Sequence, residues 1–216
     1  MKIFITMLFF VLTTLTISWG TEVKVEKNLS LGIVYSSFKM SDGLGQLFAT
    51  SDEILLFADL KIVRGWSIKD YQNLGYKITQ TVNSYLTIGS YYYPITYNLS
   101  LDVTKNIFLF EKSLIEEGQF HPFVSAGLNM TFVKYQIANS LTYSETTESE
   151  FIVGFAMGAG FDYAINENCT FVINILNTNA PISSTGWYFF KPNTGIPISI
   201  TDIGDFSFSA GLGYKF

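Results

Sequence analysis

The sequence is poor in charge, cysteine and histidine. Only 14% of its 216 residues are charged, against about 25% in typical soluble domains. The single cysteine, Cys169, excludes an internal disulfide and any multi-cysteine metal site. The net charge is −5, whereas nucleic-acid binding requires clustered lysine and arginine. We therefore expect no nucleic-acid partner.

Long hydrophobic runs are also missing after the N-terminus. Beyond the first twenty residues, no apolar run approaches the roughly 20 residues that a membrane helix needs. The N-terminus itself has Lys2, an apolar run from Ile3 to about Leu12, and the small residues Ser18 and Gly20. This pattern is typical of a cleaved secretory signal peptide rather than a membrane anchor. It predicts a signal peptide over 1–20 and one mature domain over 21–216.

Aromatic residues are abundant, at 17% of the chain, and they alternate with small or polar residues. The clearest case is the last segment, 205–216. Because strand side chains alternate with period two, this segment has one apolar and one polar face. The apolar face contains Phe206, Phe208, Ala210, Leu212, Tyr214 and Phe216. An apolar outer face with a polar inner face is typical of a transmembrane β-strand.

This last strand resembles the C-terminal strand of small bacterial outer-membrane barrels of the OmpX and OmpA transmembrane-domain type. In that family a terminal aromatic strand serves as an assembly signal. The resemblance implies that Leu212, Tyr214 and Phe216 are recognised by the barrel assembly machinery and that the mature domain sits in outer-membrane lipid. The proline–aromatic start and small residues of 121–128 resemble strands of the same family.

The same alternation along the mature chain predicts an all-β, antiparallel, up-and-down transmembrane barrel of about eight strands. The predicted strands are 28–38, 54–63, 76–92, one from 95 onward with unclear register over 107–110, 121–137, 151–163, 171–175 and 205–216. Segment 64–73 is predicted to be a turn, and 177–204 the longest loop. An even strand count with alternating short and long connections predicts that both ends of the barrel domain are periplasmic.

An eight-stranded barrel has an interior that side chains fill. The alternation predicts that polar side chains at five positions point inward: Lys77, Asp102, Asn129, Asp162 and Lys215. Because charges in such an interior need partners, we expect a packed polar plug rather than an open pore.

Candidate catalytic and metal-binding residues are few. His121 is the only histidine. Lipid-modifying barrel enzymes of similar fold place a serine two residues beyond their histidine, where this chain has Phe123. The acidic residues Glu145, Glu148 and Glu150 do not follow a calcium-loop pattern. We therefore expect no catalytic residue, no metal site and no cofactor.

Four consecutive aromatic residues in the longest loop are candidates for contact with an extracellular partner or for an outer aromatic girdle: Trp187, Tyr188, Phe189 and Phe190. The leading hypothesis is an integral outer-membrane barrel with a structural or adhesin-like role through its extracellular loops. One alternative is a small channel for ions or apolar solutes. Another is a soluble exported carrier of the lipocalin kind, whose apolar face would point inward.

Overall fold

A computed structural model of the chain describes residues 28–40, 51–139, 145–183, 187–190 and 197–216. The predicted signal peptide lies outside the described residues. The described strands are β1 (Asn28–Met40), β2 (Ser51–Val63), β3 (Trp66–Asn73), β4 (Tyr76–Ile88), β5 (Tyr91–Ser113), β6 (Phe120–Asn139), β7 (Glu145–Ala164), β8 (Cys169–Thr178), β9 (Tyr188–Phe190), β10 (Pro197–Ser199) and β11 (Asp205–Lys215). Within these ranges no helix is long and apolar enough to cross a membrane.

Nine of these strands form one antiparallel sheet that closes on itself. Their order is β3-β2-β1-β11-β8-β7-β6-β5-β4, and pairing of β3 with β5 completes the ring. Strands β3 and β4 pair with successive parts of β5 and are separated by Leu74 and Gly75, where the register changes by one residue. Gly75 has a φ of 84°, a value that favours glycine. Because β3 and β4 together make one barrel strand, the barrel has eight strands, and the predicted fold class is confirmed.

Short turns lie at one end of the barrel and long loops at the other. The turn end carries Arg64–Gly65 and the segments 114–119 and 165–168. At the loop end, β1 and β6 end, β2 and β7 begin, and the turn at Gly89 and the described residues after β8 are found. Strand β1 begins, and β11 finishes, at the turn end.

The predicted turn over 64–73 is wrong. Val63 pairs with Trp66, so only Arg64 and Gly65 form the turn, and Gly65 has a φ of 70°. A two-residue hairpin turn of this kind favours glycine. Polar composition suggested a loop because Ser67 and Lys69 are polar, but both side chains are buried inside the barrel.

The turn-end half of the barrel is apolar outside and largely polar inside. Outward side chains such as Phe155 and Leu212 are exposed, while inward ones such as Asn129, Asn174 and Ser209 are buried. This arrangement suits a barrel surrounded by hydrocarbon. A soluble carrier would have the opposite arrangement.

The polarity reverses towards the loop end. The inward side chains of Leu99, Leu101 and Val103 on β5 are buried and apolar, whereas Ser100 and Asp102 face outward. The reversed region comprises β4, residues 91–103 of β5 and 133–139 of β6. Together with residues 145–150 of β7, which are polar on both faces, we call it the loop-end extension. It is built like a soluble β-protein, with an apolar interior and a polar surface.

Two predicted inward residues are displaced by this reversal. Lys77 and Asp102 lie opposite each other on the outer face, with 53% and 38% of their side chains exposed and 3.6 Å between Lys77 Nζ and Asp102 Oδ1. The prediction assumed that apolar faces point outward along the whole strand. Asn129, Asp162 and Lys215 do face the interior.

The reversal of polarity can be tested with two adjacent substitutions on β4. Ile78 is buried in the apolar interior and Thr79 is exposed. We expect Ile78→Asp to lower the free energy of unfolding by about 3 kcal/mol or more, and Thr79→Asp to change it by about 0.5 kcal/mol or less. Urea unfolding in detergent micelles, followed by tryptophan fluorescence, measures both. If Thr79→Asp were the damaging change, the polar face of β4 would point inward.

Candidate functional site: the layered interior and its cap

A cavity of about 750 Å³ lies inside the turn end. We call it the vestibule. Its lining includes Arg64, Glu116 and Lys215, and further in Asp59 and Glu111. Charged side chains of both signs therefore surround the space.

An ion pair ties two turns together at the rim of the vestibule. Arg64 Nε donates to Glu116 Oε2 over 2.5 Å, joining the β2–β3 turn to the segment after β5. This hydrogen bond is the main reason that the pKa of the Glu116 carboxyl lies below its ordinary value, and Lys112 adds to the effect.

His121 also lies at this rim. Its Nδ1 is 3.1 Å from the carbonyl oxygen of Ile115, to which it donates in one tautomer. The ring thus fastens the start of β6 to the preceding turn.

The first ionic layer lies at the inner end of the vestibule and consists of Asp59, Lys69, Glu111 and Asp162. Lys69 Nζ is 3.0 Å from Glu111 Oε2 and 3.5 Å from Asp162 Oδ2, and its side chain is fully buried. Its ammonium also lies 4.5 Å from the centre of the Phe123 ring, within cation–π range. One oxygen from each of the three carboxylates lies within 4.8 Å of the others. The layer therefore holds three acidic groups and one base.

Of these four residues, the sequence predicted only Asp162. Lys69 was hidden in the segment assigned to a turn, and the register around Glu111 was unclear. The alternation of Asp59 with Ala58 and Leu60 was a usable signal, because it places one polar residue on the face opposite an apolar pair.

An apolar layer follows the first ionic layer and is contributed by six of the eight barrel strands. It consists of Val34, Leu55, Phe57, Tyr71, Ile107, Leu109, Ala156, Val172 and Leu176, all buried. A Cβ on Gly32 would lie 2.4 Å from the Phe57 ring, so glycine makes room for that ring. The interior therefore combines apolar side chains with buried polar ones such as Asn129, Asn174 and Ser209, so polar groups make up only part of the predicted plug.

The second ionic layer lies beyond the apolar layer and centres on Lys105 and Asp205. Lys105 Nζ is in direct contact with Asp205 Oδ2, and both side chains are buried. Thr178 Oγ1 donates to Asp205 Oδ1 over 3.2 Å, and Asn73 Oδ1 accepts from the Lys105 backbone N–H over 2.7 Å. The ammonium also lies 5.1 Å from the centre of the Phe38 ring. Asp205 and the Phe38 ring compensate the ammonium charge, and Lys105 and Thr178 compensate the carboxylate.

A segment of the longest loop enters the loop end of the barrel and caps it. The Trp187 ring stacks on Tyr135 with 5.4 Å between ring centres. Tyr135 Oη donates to the Tyr188 carbonyl oxygen over 2.6 Å. Gln80 Nε2 donates to the Phe190 carbonyl oxygen over 2.6 Å, and its Oε1 accepts from the Phe190 N–H over 3.0 Å. Side chains of β4 and β6 thus hold the cap through its backbone.

The four loop aromatics expected at the surface are mainly part of this cap. Trp187 and Phe189 are 1% and 0% exposed, Phe190 is half-buried, and Tyr188 alone of the four is exposed. The strongly exposed aromatics of the loop end are instead Tyr85, Tyr91 and Tyr92 on the β4–β5 hairpin, at 71%, 71% and 73%. No pattern in the sequence indicated that this loop would fold inward.

The three acidic residues around β7 have separate protein partners. Glu145 Oε1 accepts from Gln136 over 2.7 Å, and Glu150 Oε1 accepts from the Ser183 backbone N–H over 2.8 Å. Glu148 accepts from the indole N–H of Trp187. These carboxylates therefore act in separate hydrogen bonds of the extension.

The predicted assembly residues form the outer edge of the turn end. Leu212, Tyr214 and Phe216 all face outward and are exposed. The Phe216 backbone N–H donates to the Leu29 carbonyl oxygen over 3.1 Å, which extends the β1–β11 pairing to the final residue of the sequence. Their recognition by the assembly machinery stays a prediction.

The buried and exposed ion pairs should differ in what they contribute to stability. We expect Lys105→Met to lower the free energy of unfolding by about 3–5 kcal/mol, because Asp205 then keeps a buried, uncompensated charge. Lys77→Met, which breaks the exposed pair with Asp102, should cost about 1 kcal/mol or less. Urea unfolding measures both. The double variant Lys105→Met/Asp205→Leu should recover part of the loss. Equal losses for the two lysine variants would contradict the buried pair.

Solved structures of other proteins share this architecture. No family model and no curated protein sequence matches the chain. Among solved structures, the outer membrane protein OprG from Pseudomonas aeruginosa is similar, with a TM-score of 0.52 and 15% identity over 88% of this chain and 96% of that one. The attachment invasion locus protein of Yersinia pestis, crystallised with the heparin analogue sucrose octasulfate, gives a TM-score of 0.44 and 14% identity over 88% and 97% of the two chains. Neisserial surface protein A gives 0.46 and 14% over 87% and 97%. The chain has the closed, eight-stranded fold of the small outer-membrane β-barrels.

Proposed function

We propose that this chain is a non-enzymatic integral protein of the bacterial outer membrane that contacts an extracellular partner through its loop-end extension. Its export by the predicted signal peptide and its insertion by the barrel assembly machinery belong to the same proposal. The observation that carries it is the reversal of polarity along the barrel. The outer face of the turn-end half is apolar and suits lipid, whereas the outer face of the loop-end extension is polar and suits water.

Strand length supports this division. A transmembrane β-strand needs about 9–11 residues to cross the hydrocarbon, whereas β5 has 23 residues and β6 and β7 have 20 each. The surplus of each strand therefore stands beyond the bilayer. With the turn end towards the periplasm, as in other outer-membrane barrels, this surplus projects outside the cell.

The β4–β5 hairpin offers a surface suited to a partner. Its outer face is polar and ordered, with Thr81 Oγ1 donating to Asn98 Oδ1 and Thr96 Oγ1 donating to Asn83 Oδ1, each over 3.0 Å. The most exposed tyrosines of the hairpin, Tyr85, Tyr91 and Tyr92, lie near its turn. Tyrosine gives a large contact area at a low cost in conformational entropy and is enriched in binding surfaces. We call these three residues the tip tyrosines.

The layered interior argues against the two alternatives. An ion crossing the barrel would have to pass the apolar layer and then the aromatic cap, both made of buried side chains, which disfavours a small channel. A lipocalin-like carrier needs a polar exterior, yet outward residues such as Phe151, Phe155 and Phe208 are large, apolar and exposed.

The orientation can be tested with the lone native cysteine. Cys169 lies at the turn end and is half-buried. The proposed orientation puts the turn end on the periplasmic side, so a membrane-impermeant maleimide should leave Cys169 unlabelled in intact cells. The same reagent should label Tyr91→Cys in a Cys169→Ala background, because Tyr91 is 71% exposed at the loop end. Gel mobility after labelling reports both sites, and cells with a permeabilised outer membrane provide the control. Labelling of Cys169 alone in intact cells would reverse the orientation.

The binding role can be tested at the tip tyrosines. We expect cells producing the protein to attach to epithelial monolayers better than cells with an empty vector. The triple variant Tyr85→Ser/Tyr91→Ser/Tyr92→Ser should lose most of this difference, since it removes the exposed rings without touching the interior. Counts of attached cells measure the effect. Tyr163→Ser, which changes an exposed tyrosine near the turn end, is the matched control and should attach like the unmodified protein. Equal attachment by producing and empty-vector cells would refute the binding role.

A further inference from the structure

We propose that the first ionic layer binds one calcium ion, which enters through the vestibule. The ligands would be carboxylate oxygens of Asp59, Glu111 and Asp162, with water from the vestibule completing the coordination. This site adds to the proposed surface role and does not depend on it.

The composition of the layer points to a divalent cation. Three carboxyl groups surround one ammonium, that of Lys69, so acidic groups outnumber basic ones in a place where uncompensated charge is costly. One divalent cation would balance the two carboxylates for which Lys69 provides no counter-charge.

The coordination preferences of the two common divalent cations favour calcium over magnesium. The three oxygens lie within 4.8 Å of one another, close enough to share one cation. Calcium accepts carboxylate and water oxygens in a flexible geometry, whereas magnesium requires a nearly ideal octahedron and gives up its water reluctantly. A site formed by three carboxyl groups from three separate strands therefore suits calcium better.

An oxygen free to act as a ligand is already directed into the layer. Asp59 is only 6% exposed, and its Oδ1 has no hydrogen-bond partner. Asp59 lies directly opposite Lys69 in the β2–β3 pairing, so its side chain points to the same interior level. A buried carboxylate oxygen of this kind is costly unless something compensates it.

The vestibule gives an ion access to this position. Asp59, Glu111 and Asp162 all line the cavity, whereas the Lys69 side chain is fully buried. The Lys69 ammonium is held against the Phe123 ring, and the apolar layer lies beyond it. The ion would therefore remain in the vestibule and fasten β2, β5 and β7 together.

Calcium titration of the purified, refolded barrel tests the proposal. After removal of metal with EDTA, isothermal titration calorimetry at neutral pH should show one calcium ion bound per chain, and magnesium should bind at least about tenfold more weakly. Asp59→Asn should weaken calcium binding by about tenfold or more, since changing even an outer partner of a metal site costs about 10–100-fold. Asp102→Asn removes an acidic residue of the outer face and should bind calcium like the unmodified protein.

A second readout separates loss of the site from loss of the fold. Calcium should raise the melting temperature of the unmodified barrel and of Asp102→Asn, but not that of Asp59→Asn. Gel electrophoresis with and without boiling verifies that each variant is folded, because a folded barrel changes its gel mobility when it is heated. Asp162→Asn replaces Asp59→Asn if the latter does not fold. Absence of stoichiometric binding at millimolar calcium, or equal affinity in Asp59→Asn and Asp102→Asn, would overturn the proposal. Neither result would bear on the role of the tip tyrosines.

Discussion

The structure depends on one constraint, the closure of the sheet by the pairing of β3 with β5. In a closed ring every barrel strand has a neighbour on both sides, so the backbone polar groups of the ladder can be satisfied even in hydrocarbon. Closure also leaves each side chain only two directions, inward or outward. Each strand must therefore suit the interior on one face and the surroundings of the barrel on the other, and the polarity of both changes between the turn end and the loop end. The chain does so by keeping its alternation constant while exchanging which face is apolar.

The interior follows from the same constraint. In the turn-end half, the polar residues that cannot face lipid meet inside, where Lys69 and Lys105 each become the centre of an ionic layer. The apolar layer lies between them, alongside buried polar side chains such as Asn129 and Asn174. In the loop-end extension the interior is apolar, and the cap containing Trp187 completes it. One barrel thus combines a turn-end half with an apolar outer face and a loop-end extension with a polar one. The proposed surface role and the proposed calcium site lie at opposite ends, since the exposed tip tyrosines are at the loop end and the vestibule is at the turn end.

Prediction from sequence succeeded where the apolar face of a strand points outward. Strands β8 and β11 lie in the turn-end half, and their alternation identified both faces correctly. It failed on β4, which lies wholly in the loop-end extension, where the apolar face points inward and Lys77 lies on the outer face. It also failed on β3, because a polar inner face has the composition of a loop. The cap was missed for a different reason. A hydrophobic loop segment is apolar whether it is exposed or buried, and its position depends on contacts with Tyr135 and Gln80, which lie far from it in the sequence.

The sequence by itself determined the class of fold, because period-two alternation and scarce charge are local properties that hydrocarbon imposes on each strand separately. It also determined the outward position of Leu212, Tyr214 and Phe216. The tertiary structure alone decided which polar residues meet. Asp59, Lys69, Glu111 and Asp162 come from four different strands, and their grouping depends on the register of pairing around the ring. A shift of one residue in any of these pairings would turn an inward group outward, so the site exists only once the barrel has closed.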